Sequence, residues 1–219
     1  MPSKRNQRNL WRRYINIKLT IVALLALCLV ACGSNPVKSV AKTPDKNSDE
    51  TIVVKQDYKV SASIQQQYKY ALEAMQAENY AEAISMFDQI IKKEPRASGP
   101  WVNKAIAYRN LQELDKAGEA IETAVKLNPS NPYALNQAGI IKREQGEFES
   151  AHEMYKRALA EYPNYANAHL NLAILCDLYL QKMVCAKSHY QAYQEINKKD
   201  DKNVVAWIND ISRRENQAK

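Results

Sequence analysis

The chain has 219 residues, a formal net charge of +7 at neutral pH, four Cys, five Gly and only two Phe. Residues 1–31 carry six of the positive charges (Lys4, Arg5, Arg8, Arg12, Arg13, Lys18) and no acid, so removing them leaves 7 − 6 = +1. The basic balance therefore belongs to the N-terminal segment, and no nucleic-acid reading survives the subtraction.

After that basic start, an apolar run extends from Leu19 to Ala31, broken only by Thr20. It is too short to span a bilayer comfortably and has the charged-then-apolar order of a secretory signal. It ends Leu29-Val30-Ala31-Cys32-Gly33-Ser34, which resembles the lipobox of bacterial lipoproteins. The resemblance implies cleavage after Ala31 and a mature chain that starts at a lipidated Cys32, the covalent lipid being the only attached group expected and no cofactor being called for. Cys28 is a poorer candidate because the Leu27 before it is too large for the cleavage site, and the alternative to cleavage is an uncleaved N-terminal anchor. Each buried acyl methylene contributes about 0.8 kcal/mol, so two or three chains hold where one is marginal. Position 33 is Gly rather than the Asp that resembles an inner-membrane retention signal in enteric bacteria. The expected location is the periplasmic face of the outer membrane, with the inner membrane second.

Residues 32–60 are polar and mixed in charge, without the apolar content to fold, and read as a lipidated tether. A flexible linker of this length spans roughly 30 Å.

From residue 61 onward the pattern changes. Pro95, Pro129 and Pro163 fall 34 residues apart, and the same residue types precede each at the same offsets. Small residues recur at Ala71, Ala105, Gly139 and Ala173, and again at Ala83, Ala117, Ala151 and Ala186. Bulky residues stand at Trp101, Tyr108, Phe87, Tyr155 and Tyr190. Small against large at fixed spacing is what two helices need to approach closely and stack in layers. A 34-residue period of this kind resembles the tetratricopeptide repeat (TPR) family, whose pattern places W-x2-L-G-x2-Y before A-x3-F and a closing Pro. The resemblance implies an all-α solenoid of helix–turn–helix units over residues 61–200, with repeats 64–97, 98–131, 132–165 and 166–200. The fourth has one extra residue in its inner turn and no closing Pro. Ser63 and Gln66 form a candidate capping box for the first helix. Val204, Trp207, Ile208 and Ile211 share one face of a final helix, and 201–219 is read as a cap and tail.

No catalytic motif occurs: GxSxG, HExxH, the P-loop and paired carboxylates are all missing, and an enzyme is not expected. Cys176 and Cys185 flank the inner turn of the fourth repeat and are either a disulfide pair or two small buried residues. Cys185 and His189 lie four apart on one helix, but without a second donor pair no metal site is expected.

The family resemblance implies a binding groove lined by the first helix of each pair. Carried onto this chain, the groove positions are Tyr68, Leu72 and Met75; Val102, Ile106, Arg109 and Asn110; Tyr133, Asn136, Ile140 and Arg143; Leu170, Ile174 and Asp177. Leu72, Ile106, Ile140 and Ile174 can equally pack between neighbouring helices. Tyr68, Arg109, Tyr133 and Arg143 stand out because aromatic and Arg side chains anchor interfaces. Tyr68 and Leu72 occupy positions where a Lys/Asn carboxylate clamp would need other residues. The expected function is a membrane-anchored periplasmic scaffold that binds a protein client, with neither nucleic acid nor small-molecule substrate. It resembles lipoproteins that pilot secretin rings of type IV pili, and also those that recruit cell-wall hydrolases, serve polysaccharide export or accompany TonB-type systems. A self-associating structural spacer is the rival reading.

Overall fold

The computed structural model describes residues 61–198 and 201–217. The basic segment, the lipobox with Cys32 and the tether lie outside the described residues. Within them the chain is helical throughout: α1 (Ala62–Gln76), α2 (Tyr80–Lys93), α3 (Ser98–Asn110), α4 (Leu114–Leu127), α5 (Pro132–Glu144), α6 (Phe148–Glu161), α7 (Ala166–Ile174, continued by a π-helical turn Leu175–Tyr179), α8 (Met183–Asn197) and α9 (Lys202–Gln217). None of these helices is long and apolar enough to cross a membrane.

Helices α1 to α8 form four antiparallel pairs, and the bulky residue of each second helix fills the centre of its layer. Phe87, Ile121, Tyr155 and Tyr190 are all essentially inaccessible, as are Ala71, Ala83, Ala105, Ala117, Ala151, Ala173 and Ala186. Gly139 shows why the small positions must be small. A Cβ there would lie 2.5 Å from the Tyr155 ring, so the ring occupies the space that a methyl group would need. First helices of successive repeats pack directly on one another, α3 on α5 and α5 on α7, while each second helix meets the next repeat chiefly through that repeat's first helix. The first helices therefore line the inner side of the stack.

Each inner turn closes by one device. The backbone enters the left-handed region at Glu78 (φ 61°), Gln112 (φ 63°), Gly146 (φ 82°) and Gln181 (φ 54°). In the first three turns the next N–H reaches back five residues, Asn79 to Ala74, Glu113 to Tyr108 and Glu147 to Lys142, the arrangement that satisfies the orphan carbonyls of a helix end. In the fourth the equivalent bond runs from Lys182 to Cys176, one residue longer, and Leu180 N–H donates to the Leu175 carbonyl. The extra residue seen in the sequence is thus absorbed as a π-helical turn. The outer turns follow the prolines: Glu94, Asn128 and Tyr162, each before Pro, leave helical dihedrals with ψ of 69°, 88° and 87°, as the proline ring requires.

The first helix starts earlier than the proposed capping box. Ser61, not Ser63, is the N-cap, its hydroxyl accepting from the Ile64 N–H at 3.3 Å, and Ser63 lies inside α1. At the other end α9 seals the last layer: Val204 and Ile211 are buried, and Trp207 packs its ring 5.3 Å from Tyr190. Asp201 caps α9 by accepting from the Asn203 and Val204 N–H groups.

Two glycines of the third repeat separate two kinds of cost. Gly146 has open space around its absent Cβ but a left-handed backbone, so Gly146→Ala should cost about 1 kcal/mol through backbone strain alone. Gly139→Ala must displace a fully buried ring and should cost about 1–3 kcal/mol. Urea unfolding checks both, and equal losses at the two positions would contradict this division.

Candidate functional site

The first-helix positions do not form a uniform row of free side chains. Tyr68 packs edge-on to Phe87 at 5.8 Å between ring centres, and its hydroxyl accepts a hydrogen bond from Asn103 Nδ2. Burial raises its phenol above the ordinary tyrosine range, and the Asn103 bond only partly offsets that. Two repeats on, Asn136 accepts from Asn171 Nδ2 at 3.1 Å. The two bonds have the same logic: a residue at one position of a first helix receives a donor 35 residues later, on the first helix of the next repeat. Asn103 and Asn171 were not singled out in the sequence, although their 35-residue offset from Tyr68 and Asn136 is visible there.

Met75 packs half-buried against the first-repeat core, and Asn110 is exposed and donates to the Ile106 carbonyl at 2.8 Å. Tyr133 stands edge-on to Tyr165 at 5.1 Å, close to the outer turn. Val102, Ile140 and Ile174 are buried, and Leu72, Ile106 and Leu170 half-buried; these positions pack between helices. Asp177 is paired. Its Oδ1 accepts from Arg214 of α9 at 2.6 Å, so the capping helix covers this position. Lys187 of α8 adds a second tie to α9 through Glu215 at 3.0 Å.

Arg143 is different. It is 7 % exposed, and its Nη1 is buried with no hydrogen-bond acceptor. Among the described residues no carboxylate pairs with it. Beside it the Tyr155 hydroxyl is also buried without a partner. Burial raises the Tyr155 phenol; the positive charges of Arg143 and Arg109 act against that rise, and the negative charge of Glu144 adds to it. The charges of Arg143, Arg109 and Glu144 thus all act on one buried hydroxyl. A buried guanidinium nitrogen left without an acceptor is costly, and an anion brought to it offsets that cost. The arrangement is suited to receiving a carboxylate and offers no nucleophile with an adjacent base.

A second polar cluster sits in the fourth repeat. His169 Nε2 lies 2.9 Å from the Pro163 carbonyl, and His169 Nδ1 lies 2.8 Å from His189 Nδ1. A carbonyl can only accept, so His169 carries its proton on Nε2 and accepts at Nδ1 from the protonated Nδ1 of neutral His189. Burial, together with His169 and His152, lowers the His189 pKa to about 4. Nearby, Cys176 and Cys185 form a disulfide with Cα atoms 6.0 Å apart. The third potential donor at these sulfurs is His152 of α6, not the His189 that shares a helix with Cys185.

The unfolded chain takes up a proton at His189 near pH 6.5, whereas the folded chain does so near 4. Stability from this residue is complete above about 6.5 and is lost as pH falls toward 4. The slope stays below about 1.4 kcal/mol per pH unit, because the ring is partly solvated. Urea midpoints measured across that window should fall with pH, and His189→Gln should flatten the fall.

Comparison with known proteins places this geometry. The profile of the family described as Tetratricopeptide repeat matches residues 68–132 and 136–177. The small glutamine-rich tetratricopeptide repeat-containing protein 2 of Saccharomyces cerevisiae is 29 % identical over 118 residues, 54 % of this chain and 34 % of that protein. The chain spans about a third of that relative's length and about a tenth of other curated relatives that it matches. Among solved structures, Pseudomonas aeruginosa pilF superposes with a TM-score of 0.64 at 20 % identity, covering 70 % of this chain and 69 % of pilF. The first TPR of Spaghetti (RPAP3), bound to the HSP90 peptide SRMEEVD, has a TM-score of 0.51 at 23 % identity over 56 % of this chain and 97 % of its own. At these identities the structures share the fold.

Proposed function

We propose, for a chain whose residues 68–132 and 136–177 belong to the tetratricopeptide-repeat family, that it is a lipid-anchored periplasmic scaffold which holds a protein client during assembly of an envelope machine. The repeats themselves are a protein-interaction fold without catalytic apparatus. The single observation that carries the reading further is Arg143, a buried guanidinium with no acidic partner among the described residues. Natural folds retain such a group where something outside the fold satisfies it. The client is then a polypeptide segment that brings a carboxylate, from Asp, Glu or a chain end, to Arg143 on the inner face. The peptide bound to the related Spaghetti repeat ends in an acidic stretch, Glu-Glu-Val-Asp in sequence, which supports that chemistry without naming the client.

The machine of first choice is the type IV pilus secretin assembly. One observation favours it over the other envelope systems, the shared fold with pilF; the resemblance of the Leu29–Cys32 segment to a lipobox supports membrane attachment in any of them. Lipidation at Cys32 would hold the repeats at a membrane surface, with residues 32–60 setting their reach.

The test uses the full chain, expressed in its own host and captured after in-cell crosslinking, beside Arg143→Met. Methionine keeps much of the apolar stem and removes the charge, so the isolated fold should be unchanged or more stable by about 1–2 kcal/mol. Client binding should weaken by about 30-fold or more. A client lost by a variant that is at least as stable supports the reading. The same client retained by both moves the interface away from the inner face, and capture of the chain alone favours the self-associating spacer.

A further inference from the structure

Three potential metal donors meet at the junction of the third and fourth repeats from three separate elements: His152 from α6, Cys176 from the π-helical turn that follows α7, and Cys185 from α8. One ring nitrogen and the two sulfurs all lie within 4.8 Å of one another. Cys176 is fully buried, whereas His152 and Cys185 keep partial exposure, which leaves a route from solvent.

The repeat architecture does not ask for these residues. At the position of Cys176 the second and third repeats carry Tyr108 and Lys142. At that of Cys185, allowing for the inserted residue, they carry Lys116 and Ser150. At that of His152 the first and second carry Ile84 and Gly118. The three donors thus meet where α6 of the third repeat packs against the fourth, beside the inserted residue of the π-helical turn. Such turns inside helices occur frequently at functional sites.

We propose that Cys176, Cys185 and His152 form a redox-gated site for a thiophilic divalent metal, closed as a disulfide when oxidised and taking Zn(II) when reduced. A dithiol reductant supplies two electrons and two protons to the Cys176–Cys185 bond, becoming a disulfide itself, and two thiols result. Metal binding then displaces both thiol protons, so that two thiolates and a neutral imidazole surround one dication. The resulting centre carries no net charge, which suits the burial of Cys176. Tetrahedral coordination with Zn–S of about 2.3 Å and Zn–N of about 2.0 Å places donors roughly 3.5–3.8 Å apart. The donors need to adjust by only about 1–2 Å from their present spacing. Three protein ligands leave the fourth position to water or to an incoming ligand.

The full chain in detergent is reduced with a phosphine under argon and titrated with Co(II), then Zn(II) against a chromophoric chelator. The reduced protein should show thiolate-to-cobalt charge-transfer absorption and bind one equivalent of Zn(II). The oxidised protein should bind at least about 100-fold more weakly, because both sulfurs are tied up. His152→Ala should weaken binding by about 10-fold or more with unchanged helical circular dichroism. Cys176→Ser/Cys185→Ser measures the background from thiols outside the repeats. The proposal is overturned if that double variant binds as the wild type does, if His152→Ala leaves affinity unchanged, or if reduction melts the repeats and Zn(II) does not restore them.

Discussion

Everything in this fold depends on one steric match, a small residue on a first helix set against a large one on its partner. Phe87, Ile121, Tyr155 and Tyr190 can be fully buried only because Ala71, Ala105, Gly139 and Ala173 leave room beside them. The match repeats each 34 residues and fixes the distance between paired helices. That distance decides which positions of the first helices face the next repeat and which face the inner side. Apolar stacking of this kind is only approximately worth its buried area, yet it is additive along the stack, because each layer meets only its neighbours. The ends are then the weak points, and α9 covers one of them with Val204, Trp207 and Ile211.

The same match has a consequence for Arg143. Tyr155 is a tyrosine where two other repeats have Phe87 and Ile121, and its hydroxyl gains nothing from the fold because no partner is present for it. Arg143, whose charge acts on it, has its Nη1 in the same unsatisfied state. A layer built only for stability would carry Phe and Met at these two places. Spending stability there makes physical sense where the pair meets an external acceptor, since an Arg–carboxylate contact in a desolvated site is worth more than one at a wet rim. The Asn103–Tyr68 and Asn171–Asn136 bonds show the opposite case, in which polar groups on the same face satisfy one another across repeats and are left with less to offer a client.

Much of this was legible in the sequence, and the reasons are particular. The period of Pro95, Pro129 and Pro163 carried the fold class, because a Pro forces the residue before it out of helical dihedrals whatever its tertiary surroundings. The extra residue in the fourth repeat was countable, but that it would become a π-helical turn was not, since an insertion can equally lengthen a loop. The start of α1 at Ala62 rather than Ile64 was missed because Ser61 and Ser63 are both competent caps. At the candidate site, the groove positions came from register alone. Register could not say that Asp177 would be taken up by Arg214 from α9, because that pairing joins residues 37 apart outside the repeat pattern. Nor could it distinguish His152 from His189 as the neighbour of the sulfurs, since the former depends on how α6 packs against the fourth pair.

The fourth repeat is where regularity ends and chemistry collects. It holds the disulfide, the His169–His189 pair, the π-helical turn and the ion pairs to α9. In an inner layer any such feature would have to fit two neighbouring repeats at once, because both faces of the layer are read by the same 34-residue pattern. The last layer has a repeat on one side and a capping helix on the other. The cap is a single amphipathic segment that can adapt, as Arg214 does in holding Asp177 and Asp210 together. Chemical departures are therefore least costly at this end of a stack. The proposed recognition of a carboxylate has the opposite requirement, since Arg143 must then be held at a fixed height by regular layers on either side. The chain separates the two demands along its length, and the stacking match that defines the repeats determines where each can be met.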